Sequence, residues 1–277
     1  MKKRSLILSI LRYFTYGIVI IITLYPLLFV IFTAFKTPVE FTRNFWLPSI
    51  KGFTLDNFNE VWFNYKFYIF FKNSFIASTT ATLSVTTLSL LGGYAFARLK
   101  FPFSEKVFII VLSVMFIPVF IYIIPLFVQM SNANLTNSMK SLLLVYTFFG
   151  LPTATYVARN FFYTIPLEIS ESGLVDGAGH LQVFARIVLP LSKPAISCIV
   201  ITNFMGNWGE YIWAMVSNTD DSVKTIPAAL SYFTTMTNVF WWYQMAALSI
   251  AIVPVVLVYV IFNKFFIQGF IEGAVKG

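Results

Sequence analysis

The sequence predicts an all-α integral membrane protein, with six transmembrane helices and a polar segment outside the bilayer between the fourth and fifth. Three observations predict it. Of 277 residues 58% are hydrophobic and only 11% are charged, where a soluble domain carries about 25% charged. Six stretches come close to the roughly 20 apolar residues that a helix needs to cross a hydrocarbon core of about 30 Å. Lys and Arg are in excess in the loops of one side, and that bias orients the spans across the membrane.

The first stretch, 13–35, follows Lys2, Lys3 and Arg4 and resembles a signal peptide at its start. Its uncharged run outlasts an h-region of about 7–15 residues and lacks an A-x-A cleavage site, so it is expected to remain as a span. The second, 74–97, reads "SFIASTTATLSVTTLSLLGGYAFA". Its Ser, Thr, Ala and Gly let helices approach closely, so it is expected to face other helices rather than lipid. The remaining spans are 107–130, 141–158, 195–216 and 243–263. Pro26, Pro118, Pro125, Pro152 and Pro254 lie within spans, and each removes a helical N–H. Kinked helices around a cavity are expected. A cytoplasmic N-terminus, and with six spans a cytoplasmic C-terminus, puts twelve Lys and Arg in inner loops against seven in outer ones. Five of the seven (Lys36, Arg43, Lys51, Lys66, Lys72) share one outer segment, while "ARLKFPFSEK" carries three positive charges in a short inner loop.

The segment 163–194 cannot be a span, because Glu168, Glu171, Asp176 and Arg186 would each cost about 2.5–3.5 kcal/mol at the bilayer centre. Pro166 suits the first turn of a helix on which Leu167, Glu171, Leu174, Val175 and Ala178 share a face. Gly177 and Gly179 can end that helix. Leu181, Phe184 and Val188 begin a second apolar stripe before Pro190 and Pro194 return the chain to the membrane. An amphipathic interfacial helix is the simplest reading of this pattern.

Several function classes are excluded or weakened. The basic residues are scattered, which argues against nucleic-acid binding. The single cysteine, Cys198, permits no intrachain disulfide. One histidine, no cluster with metal-ligand spacing and no nucleophile-base pairing argue against an enzyme and against a bound metal or cofactor. A self-sufficient secondary transporter would show matched broken helices in two halves, and none are evident.

The spacing from Glu171 through Gly177 and Ile187 to Leu189-Pro190 resembles the EAA loop of ABC importer permeases. Ser172 and Gly173 stand where that pattern has alanines, so helix propensity is lower. "GYAFARLKFP" at 93–102, "FTLDNF" at 53–58, "GNWGEYIWA" at 206–214 and the ending "QGFIEGAVKG" extend the likeness to the carbohydrate-uptake (maltose-type, MalG-like) branch. The resemblance implies a single permease domain in a bacterial cytoplasmic (inner) membrane, carrying a saccharide. It implies three partners: a second, MalF-like permease, an ATPase dimer and an extracytoplasmic solute-binding protein. The loop becomes a cytoplasmic coupling helix whose ATPase contacts are Glu168, Glu171, Leu174, Asp176, Gly177, Ala178, Phe184, Ile187 and Pro190. This chain has no G-x-x-x-x-G-K-[ST] loop, so ATP and Mg would belong to the partner ATPase. An ABC permease for a non-sugar solute is the alternative.

In the fifth span Asn203, Asn207 and Glu210 fall on one helical face, and polar groups within a span normally face a cavity. With Tyr211 they are the candidate translocation pathway, and Trp208, Tyr211 and Trp213 could stack on sugar rings. The resemblance implies that the outer loop 217–240 reaches the binding protein and that the tail 268–277 extends between ATPase subunits. Gly269, Gly273 and Gly277 make that tail a poor helix by itself.

Overall fold

The computed structural model describes residues 2–47, 51–234 and 239–275, with the side chains of Ser9 and of Leu11 to Phe265 within them. Lys2, Lys3, Arg4 and the tail from Gln268 to Val275 therefore have backbone but no described side chains, and Thr235–Thr237 with Asn238 of the outer loop, like Lys276 and Gly277 of the tail, lie outside the described residues. The principal helices are α1 (Lys2–Ala34), α2 (Phe67–Arg98), α3 (Ser104–Ser113), α4 (Val119–Asn132), α5 (Met139–Thr164), α6 (Leu167–Val175), α7 (His180–Leu191), α8 (Lys193–Trp208), α9 (Ile212–Ser217) and α10 (Trp241–Val275). Among the described residues no strand forms, only two isolated bridges.

Four helices are long and apolar enough to cross a membrane: Leu11–Ala34 within α1, α2, α5 and Trp241–Phe265 within α10. Two further candidates are bent pairs, α3 with α4 at 100° and α7 with α8 at 78°. The expected third span, 107–130, is thus two helices. Its break falls at Ile117, which sits extended at φ −89° and ψ 115°, the conformation that the ring of Pro118 imposes on the residue before it. The expected fifth span, 195–216, ends at Trp208 and restarts as α9. Pro26, Pro125, Pro152 and Pro254 instead lie inside continuous helices. α10 also runs on through Gly269 and Gly273 to Val275, because extending an established helix avoids the cost of nucleating one.

The chain groups into two compact units, Met1–Tyr68 with Ala229–Val253, and Ile69–Ala228 with Pro254–Gly277. In the first, Lys36 is only 2% exposed. Its ammonium donates to the carbonyls of Asn44 at 2.6 Å and Phe45 at 3.1 Å. Asn57 donates to the carbonyls of Ala34 and Lys36, both at 2.8 Å. A cation that the sequence counts against the orientation is therefore consumed inside the fold.

In the second unit the small residues of α2 are the core. Ser74, Ala77, Ser78, Ala81, Thr82, Val85 and Ser89 are all buried, at the three- and four-residue spacing of one helical face. Ala77 and Ala81 pack with Leu142, Tyr146, Trp213 and Ala214, and Val85, Leu90 and Tyr94 with Ala154, Phe162, Phe184 and Ile199. Hydrogen bonds tie both ends of this stack. At one end Asn73 donates to the carbonyls of Ser222 and Lys224, each at 2.9 Å, and the carboxamide oxygen of Asn137 accepts from the N–H groups of Thr219 and Asp220 at 2.7 and 3.0 Å. At the other end Arg98 donates to the carbonyls of Phe162 and Ile165 at 2.7 and 2.5 Å, placing a cation on the last turn of α5 where its carbonyls lack partners. Arg159 pairs with Glu105 and joins α5 to α3.

Candidate functional site

The polar segment folds as two packed helices. Pro166 precedes α6, and α6 stops in a Schellman turn. The N–H of Gly177 bonds the Leu174 carbonyl at 3.1 Å and that of Ala178 the Gly173 carbonyl at 3.0 Å, while Gly177 takes φ +87°. This turn needs a left-handed residue, which glycine supplies without strain. A Cβ on Gly177 would meet nothing within 4 Å, so its glycine serves the backbone and leaves open space around it. Gly173 is different: a Cβ there would stand 2.8 Å from Ile187 Cδ1 and 3.2 Å from Val183 Cγ2. The small residue in place of an alanine lets α6 lie close on α7.

Glu168, Glu171, Leu174, Asp176, Gly177 and Pro190 are exposed, and Ala178 and Ile187 are half-buried. Neither Glu168 nor Glu171 forms an ion pair with a described residue. Phe184 points inward, with its ring 5.1 Å from Tyr94 and 6.4 Å from Phe162. It anchors the segment and has no surface to offer a partner. Val175 at 86% and Leu181 at 74% exposure point outward, whereas Phe184 and Val188, of the same apolar stripe as Leu181, are buried.

A cavity of about 510 Å³ lies among the break between α3 and α4, α4 itself, α5, α8 and α9. Asn203, Asn207 and Glu210 line it, while Tyr211 does not. Asn203 donates to the Ile199 carbonyl at 2.9 Å and Asn207 to Thr82 Oγ1 at 3.5 Å. Glu210 is held more firmly. Its Oε1 accepts from the N–H of Trp213 at 2.7 Å, and its Oε2 from the N–H of Ala214 at 3.0 Å and from Tyr146 Oη at 2.9 Å. The carboxylate caps the restarted helix α9, as acids do at helix N-termini. Sequence reasoning missed this role and missed Tyr146. It also missed a stacked pair on the wall, Tyr122 and Phe149, whose ring centroids are 4.6 Å apart. Trp208 is buried beside Phe71 and Phe204. Trp213 lines the cavity with its indole N–H lacking an acceptor.

The family described as binding-protein-dependent transport system inner membrane component matches residues 89–272. The chain is 29% identical to the sulfoquinovosyl glycerol transport system permease protein SmoH of Agrobacterium fabrum, covering 96% of this chain and 94% of that one. It is 30% identical to the diacetylchitobiose uptake system permease protein NgcG of Streptomyces coelicolor, over 88% and 81%. It is 32% identical to the sn-glycerol-3-phosphate transport system permease protein UgpE of Yersinia pestis, over 72% and 71%. Its fold matches a chain in the crystal structure of a bacterial ABC transporter involved in import of the acidic polysaccharide alginate, with a TM-score of 0.81, 22% identity, and 94% and 96% coverage. A family match over most of the sequence, on a helical membrane fold shared with such an importer, makes this chain a member of the binding-protein-dependent transport system inner membrane component family, a non-catalytic permease subunit of an ABC importer.

Proposed function

We propose that this permease carries a saccharide across the bacterial cytoplasmic membrane as one domain, beside a MalF-like second permease, with an ATPase dimer and an extracytoplasmic binding protein. ATP and Mg are held by the ATPase, and this chain binds no cofactor. The observation that carries the reading is the α6–α7 segment. It is a rigid, Schellman-capped hairpin that presents Glu168, Glu171, Val175 and Leu181 outward, and its acids have no ion-pair partner within the described residues. Acidic and apolar side chains exposed together on a braced element fit a docking surface that transmits motion.

Six crossings follow if each bent pair spans once, with both termini cytoplasmic. The tethers of Asn73 and Asn137 to 217–224 and of Arg98 to the end of α5 support this. They group the starts of α2 and α5 at one end and their finishes at the other, which favours a single return of the chain through α3 with α4. The cavity beside Asn203, Asn207 and Glu210 is the proposed pathway, with Tyr122 and Phe149 as a sugar-stacking wall. The outer loop 217–240 is proposed to meet the binding protein, and the tail 268–277 to extend between the ATPase subunits. Three relatives are named for a sulfoquinovosyl glycerol, a diacetylchitobiose and a glycerol phosphate, so the test must span neutral and anionic solutes. The chain would be reconstituted with its ATPase and second permease and challenged with binding protein loaded with each solute. Stimulated ATP hydrolysis by a saccharide supports the reading, and stimulation by sn-glycerol 3-phosphate alone replaces it with a non-sugar solute.

A further inference from the structure

We propose that a separate cavity of about 610 Å³ holds the phosphate of an anionic phospholipid headgroup. It forms where α2 turns into α3 and where α5 turns into α6. Arg98, Lys100, Ser104 and Tyr163 line it, and no carboxylate does. The Tyr163 hydroxyl is engaged, accepting from Arg159 Nε at 3.2 Å and donating to the Phe96 carbonyl at 3.3 Å. The other three have donors to spare. Arg98 uses only Nη2 on the carbonyls of Phe162 and Ile165, and its Nε is buried without an acceptor. The Lys100 ammonium and the Ser104 hydroxyl have no hydrogen bond to a described residue. Two cations and a hydroxyl around an acid-free hollow call for an oxyanion, which forms its strongest hydrogen bonds to charged donors.

Position selects a lipid as the source of that oxyanion. α2 is a membrane-crossing candidate that ends at Arg98, and α5 is another that ends at Thr164, so the cavity sits at headgroup depth. Phe101 and Phe103, 37% and 70% exposed, flank it as interfacial aromatics do. Glu105, the adjacent acid, is held by Arg159, which leaves the local charge positive. Basic pockets between spans at this depth bind anionic headgroups. Leu167, the first residue of α6, lines the same cavity, so the headgroup would brace the root of the outward hairpin.

The test is native mass spectrometry of the full chain in detergent, titrated with phosphatidylglycerol or with phosphatidylcholine of the same acyl chains. The double variant Lys100→Ala with Ser104→Ala is compared, and Arg98 is left in place because it holds backbone carbonyls. Phosphatidylglycerol is expected to bind at least about tenfold tighter than phosphatidylcholine, with most of that preference lost in the double variant. Equal affinity for the two lipids, or a preference unchanged in the double variant, overturns the proposal. Displacement of phosphatidylglycerol by millimolar inorganic phosphate also overturns it, since the ligand would then be a free anion.

Discussion

Glu210 shows how far one side chain departs from what its position in the sequence implies. Its spacing with Asn203 and Asn207 places it on a cavity face, and the structure keeps it there, but three neutral donors already occupy its oxygens. Glu210→Ala should therefore cost roughly 0.5–2 kcal/mol of stability as a lost cap. Tyr146→Phe should cost about 1 kcal/mol, and the double variant should cost less than the sum because the two share one interaction. Thermal unfolding of the purified variants measures all three, and full additivity would dissolve the pair. Gly177→Ala places a Cβ at φ +87°, a strain of about 1–2 kcal/mol. Uptake should fall while membrane insertion is kept, measured by transport assay beside surface labelling. Burial pushes the Lys36 amine below its ordinary value of 10.5, against the pull of Glu40. Between its lowered value and 10.5 the unfolded chain binds the extra proton, so this group makes stability rise with pH across that window. Melting temperatures should rise relative to Lys36→Met as pH climbs toward 10.5, and parallel curves would refute the assignment.

At the scale of elements, the spans were legible where hydrophobic length alone decides. The small-residue face of α2 was legible because burial follows size. The breaks were only half legible. Pro118 marks one, whereas four other prolines sit in unbroken helices, since proline leaves a helix continuous when packing re-satisfies the freed carbonyl. The helix end at Gly177 was legible, whereas the outward placement of Val175 and Leu181 was not, because apolar spacing gives a shared face and not which part of it packs inward. Ser172 and Gly173, which weaken the propensity of α6, resolve into separate causes. Ser172 is exposed with its hydroxyl bonded back to the Ile169 carbonyl at 3.1 Å, and Gly173 is a contact with α7. Gly173→Ala requires the tip of Ile187 to move and Val183 to give by a few tenths of an ångström, a cost set against a gain in helix propensity, so it should change stability by less than about 1 kcal/mol. Gly173→Val has no such escape against the buried Val183, and an overpacked contact of this kind costs about 1–3 kcal/mol. Equal melting temperatures for the two variants would show that α6 is not pressed on α7.

At the scale of the whole molecule, the proposed docking surface on α6 and the proposed pathway cavity belong to the same compact unit, Ile69–Ala228 with Pro254–Gly277. Glu171→Lys should abolish uptake and stimulated ATP hydrolysis in the reconstituted complex while leaving chain abundance unchanged, and normal uptake would remove α6 from the coupling role. Family membership was legible from motifs distributed along the chain, whereas substrate identity was not, because the cavity walls are mostly apolar and a few hydroxyls and amides suit many solutes. The 100° bend between α3 and α4 has a consequence for biogenesis. At about 1.5 Å per residue, ten and fourteen residues reach only about 15 and 21 Å, short of a hydrocarbon core of about 30 Å. Neither half can leave the insertion machinery as a finished crossing. Where the pair serves as one span, its halves must enter lipid together, or wait until packed neighbours cover the break at Ile117.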